Sequence, residues 1–155
     1  MTYDGSHVSY RMNDQMIQAA RSGRQNIAEG SLASAVSKKT EIKLVGVARA
    51  SLEELLLDYQ DFLRQKGFQP WAKDSEEAKA VRALAYKSDK SYETYKPYFS
   101  DPESAANCLI CLIYQATYLL DKQLASLEKT FIQKGGYSES LLKRRLERRN
   151  KYVKQ

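Results

Sequence analysis

The most concentrated chemistry in this sequence stands at its C-terminal end, where Lys143, Arg144, Arg145, Arg148, Arg149, Lys151 and Lys154 are opposed only by Glu147. The chain carries 25 basic and 19 acidic side chains; setting these eight aside leaves 18 of each sign, so a charge equal to the whole net +6 stands between Lys143 and Gln155, within a basic C-terminal segment over 137–155. Such a segment attracts anions before the neutral remainder is felt. Phosphates are the natural target, because each one neutralised by lysine or arginine releases condensed counterions whatever the base sequence, on RNA or DNA. Two other readings of the same charge stay open: a solvated helix end that keeps the protein in solution, and contact with an acidic protein or membrane surface.

Other chemistry is more weakly marked. Cys108 and Cys111 form a C-x-x-C, but they lie in an apolar helical run and the single histidine is the distant His7. One chain cannot assemble four Cys and His zinc ligands from that set, so the thiols are expected in the core, with no metal and no cofactor, although a site shared between chains stays open. Glu53, Glu54, Asp58 and Asp61 share a helix with Arg64 and Lys66, the composition of a solvated face with local ion pairs. There is no phosphate-cradling glycine loop and no supportable Ser-His or Cys-His arrangement, so no catalytic residue is expected and the chain does not read as an enzyme. Asn26 and Glu29, spaced i, i+3, are expected to form a polar link with Arg49 and Ser51 that sets the register of two helices. Eleven tyrosines include Tyr86, Tyr92, Tyr95 and Tyr98 near lysines. They suit base stacking beside a cationic track, but half-burial at helix margins is the preferred reading.

The elements that must position these residues are helical. Met16, Ala20, Gly23, Ile27 and Gly30 recur at helical seam spacing, and three of the five are so small that a partner helix can approach closely. From 37 to 66 the apolar positions Val45, Ala48, Leu52, Leu55, Tyr59 and Phe62 recur in the same way, with Ser37 to start the helix and Gly67 to end it. Residues 68–73 form the main loop. Asp74-Ser75-Glu76-Glu77 opens a helix expected over 75–87, with continuation to Lys96 left open. Asp101-Pro102-Glu103 opens a long helix whose seam runs from Leu109 through Ile113, Ala116, Leu120, Leu124 and Leu127 to Phe131, with Gly135-Gly136 at its end.

At 155 residues and 43% hydrophobic composition, the chain fits one all-α domain over 1–155, with residues 1–9 expected to be a loose N-terminus. No apolar run is long enough for a membrane span, the first residues lack the basic-then-apolar order of a secretory signal, and two cysteines make no disulfide framework. A cytoplasmic location is expected.

The stretch QAARSGRQNIAEGS, followed by Ala48-Arg49-Ala50-Ser51-Leu52-Glu53-Glu54-Leu55, resembles the paired signature of the four-helix-bundle proteins of intervening sequences in bacterial large-subunit ribosomal RNA genes. That family also includes the accessory proteins of diversity-generating retroelements. The part from Trp71 through 107–120 to the basic end is similar to the subgroup called four helix bundle suffix domain proteins. The resemblance covers about residues 11–150, with Gly23-Arg24 standing where many members have Ile-Pro and only a short polar stretch ahead of the motif where the family has a further helix. It implies an antiparallel up-and-down four-helix bundle with a basic C-terminal helical extension, a homo-oligomer of ring-like pentameric form, and partnership with nucleic acid and with a reverse transcriptase or another protein. The function expected from residues and resemblance together is that of a non-catalytic, nucleic-acid-associated accessory bundle; the alternative is a protein-interaction scaffold with a solubilising tail.

Overall fold

A computed structural model describes residues 5–153, with side chains over 10–151, and every regular element in it is helical. Helix α1 spans Gly5–Ala33 and α2 spans Lys38–Lys66. The backbone is helical from Gly5, so residues 5–9 of the segment expected to be a loose N-terminus continue α1; residues 1–4 lie outside the described residues. Nothing from 6 to 22 is glycine or proline, so once the motif region is helical, propagation towards the N-terminus meets no barrier.

Between α1 and α2 the chain turns over Ser34–Ser37, and the Ser37 side chain accepts a hydrogen bond from the Thr40 N–H. At the far end Gly67 takes a left-handed conformation with φ 68°, where its N–H and that of Phe68 satisfy carbonyls of the last turn. A side chain at Gly67 would be strained there.

The face of α1 turned to α2 differs from the expected seam. Ala19, Gly23 and Gly30 are buried, Met16 and Asn26 are half-buried, whereas Ala20 is exposed and Ile27 is 40% exposed. The contact line is thus Met16, Ala19, Gly23, Asn26 and Gly30, one position away from the expected line at two places. Close approach does occur at both glycines: an added Cβ would lie 3.3 Å from Leu52 Cδ2 at Gly23 and 3.4 Å from Val45 Cγ2 at Gly30. Gly23→Leu is accordingly expected to destabilise the protein by about 2 kcal/mol through overpacking, while Gly23→Ala stays within about 1 kcal/mol because the gain in helix propensity offsets the crowding. Chemical denaturation of the two variants measures the difference.

Helix α3 spans Glu76–Leu84 and α4 is a single turn, Tyr92–Tyr95, that leads into a 3-10 turn over Lys96–Phe99. The helix expected over 75–87 therefore stops earlier and does not continue to Lys96. The polar run from Lys87 to Ser91 has no apolar face to bury, and Lys90 Nζ donates to the Ala85 carbonyl, closing the helix end. Ser75 caps α3 by accepting from the Ala78 N–H, and Ala78 and Val81 are fully buried.

Helix α5 spans Pro102–Lys134 and α6 spans Tyr137–Val153. Asp101 caps α5 by accepting from the Ser104 N–H, an interaction that holds its carboxyl below the ordinary range. Helices α1 and α5 both pack on α2, and α3 packs on α5. Arg49 meets Asp121, Gln60 meets Tyr114 and Gln69 meets Glu103, so residue numbers fall on one helix as they rise on the other: α5 runs antiparallel to α2 and parallel to α1. Two apolar clusters fill the seams, one of Ala19, Leu55, Leu56 and Ile113, the other of Val45, Ala48 and Leu120. No helix of the described residues is long and apolar enough to cross a membrane.

Candidate functional site

The turn that launches α6 depends on Gly135, whose φ of 69° is open to glycine and strained for other residues. Beyond it the Gly136 N–H donates to the Glu139 carboxylate, which holds the first turn of α6. Lys143, Arg144, Arg145, Arg148, Arg149 and Lys151 are all exposed on this helix; Lys154 lies outside the described residues. At 100° per residue Leu142 and Leu146 share a narrow apolar stripe, and the cations spread over the remaining faces. A phosphate backbone can meet several of them from one direction. None of the principal helix packings involves α6, so its charged surface stays open to solvent.

The expected polar link between α1 and α2 is found only in part. Ser51 is buried, and its Oγ lies 2.8 Å from Ser22 Oγ on α1. Asn26 Nδ2 donates to the Ser22 carbonyl at 2.9 Å and approaches Ser22 Oγ at 3.3 Å, so Asn26 and Ser51 belong to one chain of hydrogen bonds mediated by Ser22. Glu29 is not part of it: it is exposed and accepts from Gln25 on its own helix. Arg49 is turned the other way, its Nε 2.6 Å from Asp121 on α5, with Glu53 at 4.0 Å. The hydrogen bond with Asp121 keeps the guanidinium more firmly charged than usual. Helix α2 lies between two helices, and Arg49 and Ser51 face different ones.

Of the acidic group on α2, Asp61 pairs with Arg64 at 2.8 Å and Glu53 faces Arg49. Asp58 is held above the ordinary carboxylate range by burial first and then by Asp61 and Glu54. Tyr86 and Tyr92 are exposed, whereas Tyr95 and Tyr98 are half-buried.

A concave site that the sequence did not indicate lies between the loop after α2, helix α3 and helix α5. It has a volume of about 640 Å³, and its lining includes Trp71, Lys73, Arg82, Cys111, Tyr114 and Tyr118. Asn107, 2% exposed, builds its floor: Oδ1 accepts from the Trp71 N–H at 2.7 Å, while Nδ2 donates to the Gln69 carbonyl at 2.9 Å and the Glu103 carbonyl at 3.1 Å. Trp71 is also held edge-on by Tyr98, with ring centroids 6.2 Å apart. Lys122 sits over the Tyr118 ring, 5.4 Å from its centroid. Comparison with family models, curated proteins and solved structures returns no match for the chain. The chemistry of both surfaces is thus read from their own residues. The polar Asn107 among apolar neighbours on α5 is the signal that could have pointed to the cleft.

The two cysteines differ in place. Cys108 is fully buried and burial pushes its thiol up to about 11, whereas Cys111 is half-buried in the cleft wall. Burial raises the Cys111 thiol as well, with the Arg82 guanidinium acting in the opposite sense. Only Cys111 meets the cleft, so the expectation of two core thiols holds for Cys108 and is corrected for Cys111. No group of three or more His, Cys, Asp or Glu suited to a metal ion occurs among the described residues. Because the thiolate is the reactive form, native protein at neutral pH is expected to take up iodoacetamide slowly and at Cys111 alone, with the rate rising as pH becomes alkaline. Mass spectrometry of the labelled peptide checks both points; rapid labelling of Cys108 would contradict the burial.

Proposed function

We propose that the protein is a non-catalytic, nucleic-acid-associated accessory bundle whose basic C-terminal segment contacts phosphates through Lys143, Arg144, Arg145, Arg148, Arg149, Lys151 and Lys154. The observation that carries this reading is the gathering of six exposed cations, against only Glu139 and Glu147, on a helix outside the principal helix packings. The motif of α1 and α2 supports a place among the four-helix-bundle proteins of ribosomal RNA intervening sequences and retroelement accessory proteins. In that reading the up-and-down four-helix arrangement is completed around α1, α2 and α5, the protein assembles as a homo-oligomer of pentameric form in the cytoplasm, and a reverse transcriptase or similar protein is its partner. Several copies of α6 on one assembly would turn weak single contacts into avidity.

A protein-interaction scaffold is the second reading, favoured by the exposed apolar stripe of Leu142 and Leu146 on α6. Titration of labelled single-stranded RNA and duplex DNA against the full chain and a version ending at Leu142 separates the two. Loss of binding on truncation, with steep salt dependence in the full chain, supports the nucleic-acid reading; equal binding by both versions removes α6 from the mechanism. Sedimentation of the full chain tests the assembly, and a monomer at all concentrations would overturn it.

A further inference from the structure

We infer that the cleft between Trp71, Arg82 and Tyr114 binds a nucleoside phosphate, with the base against the aromatic wall and the phosphate held by Lys73 and Arg82.

Size and wall chemistry narrow the occupant. A volume of about 640 Å³ lies within the range of small-ligand sites, and the walls of Trp71, Tyr114, Tyr118 and Ile110 offer flat apolar surface suited to a planar ring. Among the described residues that line it, Lys73 and Arg82 are the charged ones and no carboxylate accompanies them. A neutral aromatic ligand would leave both cations without a counter-charge, and a simple inorganic anion would leave the aromatic wall unused. A ring carrying an anionic group uses both, and Gln115 adds an amide that can donate to and accept from a base edge.

The site is also built in advance. Asn107 ties the backbone at Gln69 and Trp71 to α5, and Tyr98 braces the indole, so a ligand meets a wall that is already in position. Lys73 comes from the loop and Arg82 from α3, placing charge on two elements that are separate in the chain. From Tyr114 to the end of α5 at Lys134 is twenty residues, roughly 30 Å along the helix, so the cleft is distinct from the charged surface of α6 and its occupancy does not depend on it.

Trp71 is the only tryptophan in the chain, which makes its fluorescence a direct report from the cleft wall. Adenosine monophosphate added to the full chain is expected to give a saturable change in that signal and to protect Cys111 from alkylation, whereas adenosine or inorganic phosphate alone acts far more weakly. Arg82→Gln and Lys73→Gln are each expected to weaken binding about tenfold without altering thermal unfolding. Lys73 is exposed, so its variant tests the proposal even where the Arg82 change disturbs α3. A trinucleotide that binds more tightly than the mononucleotide through the same residues assigns the unit to a strand; equal or weaker binding assigns it to a free nucleotide, and both support the site. No saturable change up to about 10 mM, an equal response to adenosine, or affinity unchanged in both variants would overturn it.

Discussion

Replacing Arg144, Arg145, Arg148 and Arg149 together with glutamine is expected to lower the affinity for duplex DNA about a hundredfold at low salt while leaving the unfolding midpoint unchanged. Each phosphate neutralised on a duplex contributes about 0.9 to the slope of log affinity against log salt, so about four contacts also account for roughly a hundredfold fall in the full chain's affinity between 50 and 200 mM salt, a fall the variant should largely lack. In the variant that slope should fall by about 3 to 4. Stability is spared because these side chains are exposed and α6 lies outside the main helix packings. Fluorescence anisotropy at two or more salt concentrations gives both slopes. An unchanged slope would show that the contacts reside elsewhere, and a large loss of thermal stability would show that α6 is integral to the body.

The second large effect is expected at Asn107. Asn107→Ala is predicted to cost about 2 to 4 kcal/mol of stability, because one truncation removes a partner from the Trp71 N–H and from the Gln69 carbonyl and leaves a small void in a site that is 2% exposed. Asn107→Asp keeps the acceptor for Trp71 but loses both donated bonds, and it buries a carboxyl, so it should be at least as harmful. Chemical denaturation measures the loss. A red-shifted Trp71 emission under native conditions would accompany it, since the loop is then no longer tied to α5. A variant as stable as the parent, with unshifted emission, would mean that the three hydrogen bonds are dispensable and that the cleft is not held in advance.

Much of the helix plan was legible because helix ends are local events. Ser37 and Gly67 bound α2, and Asp101 with Pro102 opens α5 while Gly135 ends it, each through contacts within a few residues of chain. The early end of α3 was less readable, since Ser88, Asp89 and Lys90 do not forbid a helix; they only fail to give it a buried face. The basic segment was plain from charge alone, and the backbone adds that it is helical to Val153.

Residue types and spacing alone were enough for the all-helical character, the principal helix ends and the separation of charge, because capping, propensity and net charge act over a few neighbouring positions. Which flank of α1 turns inward, which helix Arg49 reaches and how Trp71, Arg82 and Tyr114 come to share one cleft were decided by packing. Those outcomes depend on what stands opposite: Ser51 receives Ser22, Asp121 receives Arg49, and Asn107 anchors a loop 36 residues away in the chain. Helical spacing alone cannot state such pairings, since neighbouring faces of one helix compete for partners on different elements.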